Sequence, residues 1–146
     1  MTAISLTDKS GLSPAQQLWL LVARVGFASL FLFSGAEKLV DNVGAAKFAA
    51  SFGVPFAPYT VPLAGFLEIV AALMIVTGWH ARSAAVALAV WMTVLNPWFH
   101  PFWTLPPGQM WQLIVDSFFH HFVMIGGMIY LAVFGPGRYR IGSAPA

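Results

Sequence analysis

The feature that most restricts this chain is an apolar run from Leu18 to Leu39 with Arg24 inside it. A run of that length matches the roughly 20 residues that a helix needs to cross hydrocarbon. Further apolar segments run from after Pro62 to Gly78, from Ala81 to Leu95 and from Trp111 to Phe134. Only 8% of the residues are charged, against about 25% in a soluble domain. So few charges leave no means of covering a surface that faces water. The sequence therefore predicts an all-α membrane protein, a four-helix transmembrane bundle. Within hydrocarbon every backbone polar group has to be satisfied internally, and a helix does this within its own segment.

Local signals set the helix ends. Ser13-Pro14-Ala15-Gln16 reads as an N-cap, a first-turn proline and the Gln of a capping box. Span 1 then begins near Pro14, behind a flexible polar lead over residues 1–12 that contains Asp8 and Lys9. Ser34-Gly35-Ala36 resembles a signal-peptide cleavage site, but the long lead and Arg24 argue for a retained span. Residues 43–53 are too short to span. Phe48 and Phe52, four apart, share one face there, and Gly53 and Pro55 form a stop. This segment is predicted to be a short interfacial helix between spans 1 and 2. Pro62 marks the start of span 2 and Asn96-Pro97 the end of span 3. The tight turn Gly78-Trp79-His80-Ala81-Arg82 makes those two spans antiparallel, and Gly135-Pro136-Gly137 ends span 4. Residues 13–140 form a single domain, and 141–146 a tail.

Orientation follows the basic residues. Lys9, Arg82, Arg138 and Arg140 share one side, whereas Lys38 and Lys47 on the other are offset by Glu37 and Asp41. Both termini are expected in the cytoplasm. Trp19 and Trp79 fall towards the inner rim, and Trp98, Trp103 and Trp111 at the outer rim. Ala81, Ala85 and Ala89 on span 3, and Gly126-Gly127 on span 4, offer small surfaces for close helix approach. A net charge of +2 with no basic stripe excludes a nucleic-acid partner. The absence of cysteine excludes disulfide exchange, thiolate zinc sites and iron–sulfur clusters held by this chain alone. Redox chemistry here has to use histidine, carboxylate or an organic cofactor.

Ionisable groups are expensive in hydrocarbon. Arg24 either snorkels to the inner interface or pairs with Glu68, the acid well inside span 2, across roughly 12 Å of depth. The segment DSFFHHF, residues 116–122, holds Asp116 and His120 one turn apart on one face, with Gly127 returning to that face. An aspartate there would fix the histidine's tautomer; a register-setting interhelical bond is the structural alternative. His121 lies about 100° round the helix from His120. His100 belongs to an aromatic belt and His80 to a solvated turn, and Trp91 sits within its span, lining a pocket or packing in the core. No ligand spacing is diagnostic of a metal ion, and for a haem only His100 with His120 lie at compatible depth.

These residues resemble the DoxX family of small membrane proteins. Arg24-Val-Gly-Phe-Ala-Ser-Leu-Phe-Leu-Phe-Ser-Gly-Ala-Glu-Lys38, with Gly35, is similar to that family's first-helix signature. Phe48 through Gly53-Val54-Pro55 resembles its short helix and turn, Glu68 with the following Thr77-Gly78 and Arg82 its second-helix signature, and His121 through Gly127 its last helix. The resemblance covers residues 20–140. It implies four transmembrane helices, an inner-membrane location and association with membrane oxidoreductases that use quinones. The expectation is a subunit of a quinone-linked oxidoreductase with a polar pocket in the outer leaflet. Asp116, His120 and Glu68 are its expected catalytic groups; Arg24, Glu37, Lys38, Trp91 and His121 are expected to hold the quinone. The alternatives are a non-catalytic scaffold for a redox complex and a small oligomeric transporter. Beyond the lipid bilayer, the expected partner is another protein or a second copy of the chain.

Overall fold

The computed structural model describes residues 11–141. The lead with Asp8 and Lys9 and most of the tail, and with them the expected flexibility and Lys9's share of the charge bias, lie outside the described residues. Five helices follow in order: α1 Pro14–Val40, α2 Asn42–Ser51, α3 Ala57–Thr77, α4 Ala81–Phe99 and α5 Gln109–Phe134. A 3-10 turn at Phe102–Thr104 precedes α5. The described residues include no strand.

α1 starts as expected: Ser13 Oγ accepts from the Gln16 amide at 3.3 Å, and Gln16 Oε1 accepts from the Ser13 amide at 2.8 Å. A cap of this kind stabilises a helix by about 1 kcal/mol. α1, α3 and α5 are each long and apolar enough to cross a membrane. α4, at 19 residues, packs against both α3 and α5. One core draws on all four long helices, with Ala28 and Phe31, Ala72 and Ile75, Ala85 and Leu88, and Ile125 and Met128 as its centre. The alanine stripe Ala81, Ala85 and Ala89 is buried as its spacing predicts. Large apolar side chains such as Phe33, Leu63, Val90 and Val123 point outward, the pattern of helices whose surroundings are as apolar as their core.

Two prolines do not end their helices. α3 starts at Ala57, and Pro62 lies inside it; α4 runs through Pro97 to Phe99. Tertiary packing outweighs the lost backbone bond in each case. The first turns of α3 bury Ala57 and Val61 against Ala46 and Ala49 of α2. The last turn of α4 is held by Trp98, whose indole donates to the Phe52 carbonyl at 2.6 Å, and by Phe99, which stacks on Phe48. The start of α5 at Gln109 instead of Trp111 is within the ordinary imprecision of a helix end.

α1 and α3 cross at two glycines. A Cβ on Gly35 would lie 2.6 Å from the Gly65 carbonyl oxygen, and one on Gly65 would lie 2.9 Å from the Gly35 oxygen. Only a residue without Cβ lets the two backbones meet this closely. Phe27 of α1 fills the space that a Cβ on Gly127 of α5 would need, which closes the bundle from α1 to α5. At the end where α1 starts and α5 stops, here the terminal end, residues 135–141 fold back over the helices. The Arg138 amide donates to Gln17 Oε1 at 2.9 Å, and the Ile141 amide to the Thr77 carbonyl at 2.8 Å. The opposite end, where α2 sits, is the α2 end.

Candidate functional site

The glycine crossing builds a polar cluster in the middle of the bundle. Lys38 and Glu68 each lie one turn past a crossing glycine on their own helix, and because the helices are antiparallel Lys38 comes to lie over Gly65 and Glu68 over Gly35. Lys38 Nζ meets Glu68 Oε2 at 2.8 Å. Ser34 Oγ donates to the same oxygen at 3.0 Å and accepts from Lys38. Trp91 of α4 donates its indole N–H to Glu68 Oε1 at 3.3 Å. Both carboxylate oxygens are thus engaged, by donors from two neighbouring helices. The Glu68 carboxylate is almost fully buried, at 6% exposure for the residue. The Lys38 side chain is 27% exposed and Trp91 36% exposed. A buried charge with a paired, hydrogen-bonded partner is the form in which a carboxylate persists at such depth.

Arg24 is not the partner of Glu68. It lies against Gly78 at the terminal end, about ten residues of α3 and so about 15 Å from Glu68. Lys38 is nearer, because α1 runs antiparallel to α3 and brings its C-terminal turns to the middle of α3. Arg24 is 2% exposed, and its Nη2 donates to the Tyr139 carbonyl. Its Nε and Nη1 are buried without a hydrogen-bond partner. Glu37, one residue from Lys38, is exposed and makes no side-chain bond.

Asp116 and His120 do not pair. Asp116 Oδ1 accepts from Gln112 Nε2 at 2.9 Å, and His120 is exposed with no hydrogen bond. Side chains on a helix tilt towards its N-terminus, and that tilt carries the short Asp116 towards the long Gln112. Neither Asp116 nor His120 bonds to the Glu68 cluster. His121 makes the interhelical contact instead. Its ring lies 4.6 Å from that of His100, and its Nδ1 is 2.7 Å from the Ser117 carbonyl. The histidine that meets His100 is thus His121, and not His120, which the sequence placed at a compatible depth. His100, just past α4, hydrogen-bonds to the Asn96 carbonyl at 3.3 Å. Burial and the neighbouring His121 hold its pKa below the ordinary range, and the Asn96 bond opposes them.

The polar groups of DSFFHHF have a simple setting. Asn96 Nδ2 donates to the Phe118 carbonyl at 3.0 Å, and Phe118 packs on Phe102 and Trp103. The segment therefore lies level with the last turns of α4 and the loop beyond, at the α2 end and away from mid-bundle. Among the described residues no three histidine or carboxylate groups come together so as to hold a metal ion. The sequence reading singled out Lys38, Glu68 and Trp91, which the structure brings together. It missed Ser34 and Gly65 as site-building residues and the buried Asn96. The shared offset of Gly35–Lys38 and Gly65–Glu68 was the signal available.

The chain is similar to two curated proteins of Escherichia coli. It is 26% identical to Inner membrane protein YphA over 87% of this chain and 90% of that protein. It is 27% identical to Inner membrane protein YqjF over 86% of this chain and 91% of that protein. A more distant likeness, 29% identical, links 57% of the chain to 28% of the Surfeit locus protein 4 homolog of Schizosaccharomyces pombe. No solved structure matches. The DoxX family model matches residues 19–101, a stretch that contains Arg24, the glycine crossing and the whole Ser34–Lys38–Glu68–Trp91 cluster, and on that match over more than half its length the chain belongs to the DoxX family.

Proposed function

We propose that this protein is an inner-membrane subunit of a quinone-linked oxidoreductase system, with the Lys38–Glu68 pair as its proton-handling site. The observation that carries the reading is an ion pair buried at mid-span yet reachable from the side. Glu68 is enclosed, but Lys38 and Trp91 beside it are each about a third exposed. Their donor set fits a quinone: the indole face takes a flat ring, and the ammonium donates to a carbonyl oxygen. A quinone, when bound, supplies two-electron, two-proton chemistry; the electrons come from a redox partner protein. Glu68 aims the Lys38 amine, Ser34 bridges the two, and Trp91 fixes the second carboxylate oxygen. Lys38 is the group that gives up a proton and Glu68 the group that holds its replacement.

α4 is the fourth span in this reading, and α2 lies in the interface. The terminal end, with Arg82, Arg138 and Arg140, faces the cytoplasm. An impermeant thiol reagent added from outside then labels a cysteine at Thr104 and not one at Ser83; the reverse pattern refutes the orientation. The names of the two E. coli relatives support the inner membrane as the location.

The site is tested with a short-chain quinone added to the purified protein. Binding is expected to quench Trp91 fluorescence, to lose that quenching in Trp91→Phe, and to weaken at least tenfold in Lys38→Met. Equal quenching in wild type and both variants refutes the quinone site. A second reading, a non-catalytic scaffold for a redox complex, is favoured by the complete hydrogen bonding of Glu68. It stands if Lys38→Met and Glu68→Gln lower stability while the wild type binds no quinone.

A further inference from the structure

The charges of this molecule are separated along its length. Arg24, Arg82, Arg138 and Arg140 all lie at the terminal end. The carboxylates of the described residues are Glu37, Asp41, Glu68 and Asp116, and each lies at mid-span or towards the α2 end. The terminal end thus carries four guanidinium groups and, among the described residues, no acid. Arg24 is buried there with two donors unfilled. Arg82 is exposed and makes no hydrogen bond or ion pair. Its guanidinium lies against Gly135, where a Cβ would meet Nη2 at 2.8 Å. Arg140 lies at the same end, its Cβ 2.6 Å from where a Cβ on Gly78 would sit.

A second, independent feature adjoins this charge. A groove of about 420 Å³ runs between α4 and α5 on the outward face. Val86, Val90 and Val94 line one wall, and Ile125, Ile129 and Val133 the other. Val86 is one turn from Arg82, and Val133 is two residues from Gly135, so the groove opens at the arginines. From Val86 to Val94 it extends about 12 Å along α4. Trp19, Trp79 and Tyr139 are exposed around the same end, the position of aromatic residues at headgroup level.

We propose that this end of the molecule binds one anionic phospholipid, its phosphate on Arg82 and an acyl chain in the α4–α5 groove. The groove accounts for the chain, and an end that carries arginines and, among the described residues, no acid accounts for the headgroup charge. A zwitterionic headgroup brings its own cation against Arg82 and is disfavoured. Free phosphate has no part that fills the groove. Arg24, which meets no acid among the described residues, adds to the field without touching the lipid.

The test uses the full chain in detergent micelles, with dioleoyl phosphatidylglycerol and dioleoyl phosphatidylcholine titrated separately and bound lipid read by native mass spectrometry. Phosphatidylglycerol is expected to be retained at lower concentration than phosphatidylcholine. Arg82→Gln should weaken its retention about fivefold, the usual effect of one basic residue at a membrane surface. Val90→Trp fills the groove from an exposed position and should weaken both lipids. Circular dichroism confirms that both variants fold. Equal retention of the two lipids, or unchanged retention in both variants, overturns the proposal. Full competition by equimolar inorganic phosphate overturns the lipid assignment in favour of a free-anion site.

Discussion

Lys38 and Glu68 should be energetically coupled, and Arg24 and Glu68 should not. Glu68→Gln keeps the shape of the side chain and removes its charge. It leaves the Lys38 ammonium without a counter-charge and places an amide beside a donor that the carboxylate accepted at 2.8 Å. Breaking a fully buried pair costs about 3–5 kcal/mol in soluble proteins. Lys38 is 27% exposed and can turn its amine outward, so the expected loss is at the lower side, about 2 kcal/mol. Lys38→Met alone should cost a similar amount, because Glu68 is the more deeply buried partner. The double variant should lose less than the sum, with a coupling of about 1–2 kcal/mol. Arg24→Gln combined with Glu68→Gln should instead be additive within about 0.5 kcal/mol, since the two groups are far apart and share no partner. The assay is reversible unfolding in mixed micelles followed by far-UV circular dichroism. Additivity in the Lys38–Glu68 cycle, or strong coupling in the Arg24–Glu68 cycle, refutes the reasoning.

The glycine crossing gives a second prediction. Gly35→Leu should separate α1 from α3, destabilise the protein by at least about 1–3 kcal/mol as overpacking does, and abolish the effect of Glu68→Gln, whereas Gly126→Leu, with nothing near its Cβ position, should be tolerated; a stable Gly35→Leu refutes the crossing. A third concerns His100, whose pKa is lowered from the ordinary 6.5 by burial and by His121. The unfolded chain then binds more protons than the folded one, so this contribution is fully present above pH 6.5 and is lost as the pH falls through the lower folded value. His100→Gln should therefore show a smaller drop in Tm between pH 7.5 and pH 5 than the wild type, about neutral and mildly acidic on the histidine scale; equal drops refute it.

The sequence by itself determined most of the elements. The capping box at Ser13 starts α1, the alanine spacing of α4 is its buried stripe, and the apolar runs are the long helices, because propensity, capping and hydropathy act over a few residues of one chain. The tertiary structure alone decided where Pro62 and Pro97 sit. A proline weakens a helix locally, but Val61 against α2 and Phe99 against Phe48 hold the adjoining turns in place. It also decided who meets whom. Spacing put Asp116 one turn from both Gln112 and His120 and offered no means of choosing between them. Depth arithmetic placed Arg24 and Glu68 within conceivable reach, whereas the antiparallel crossing at Gly35 and Gly65 set α1 in a register that brings Lys38 to Glu68 and leaves Arg24 beneath Tyr139. The relative rotation and register of two helices depend on how closely their backbones approach, and that is fixed only when both surfaces are packed together.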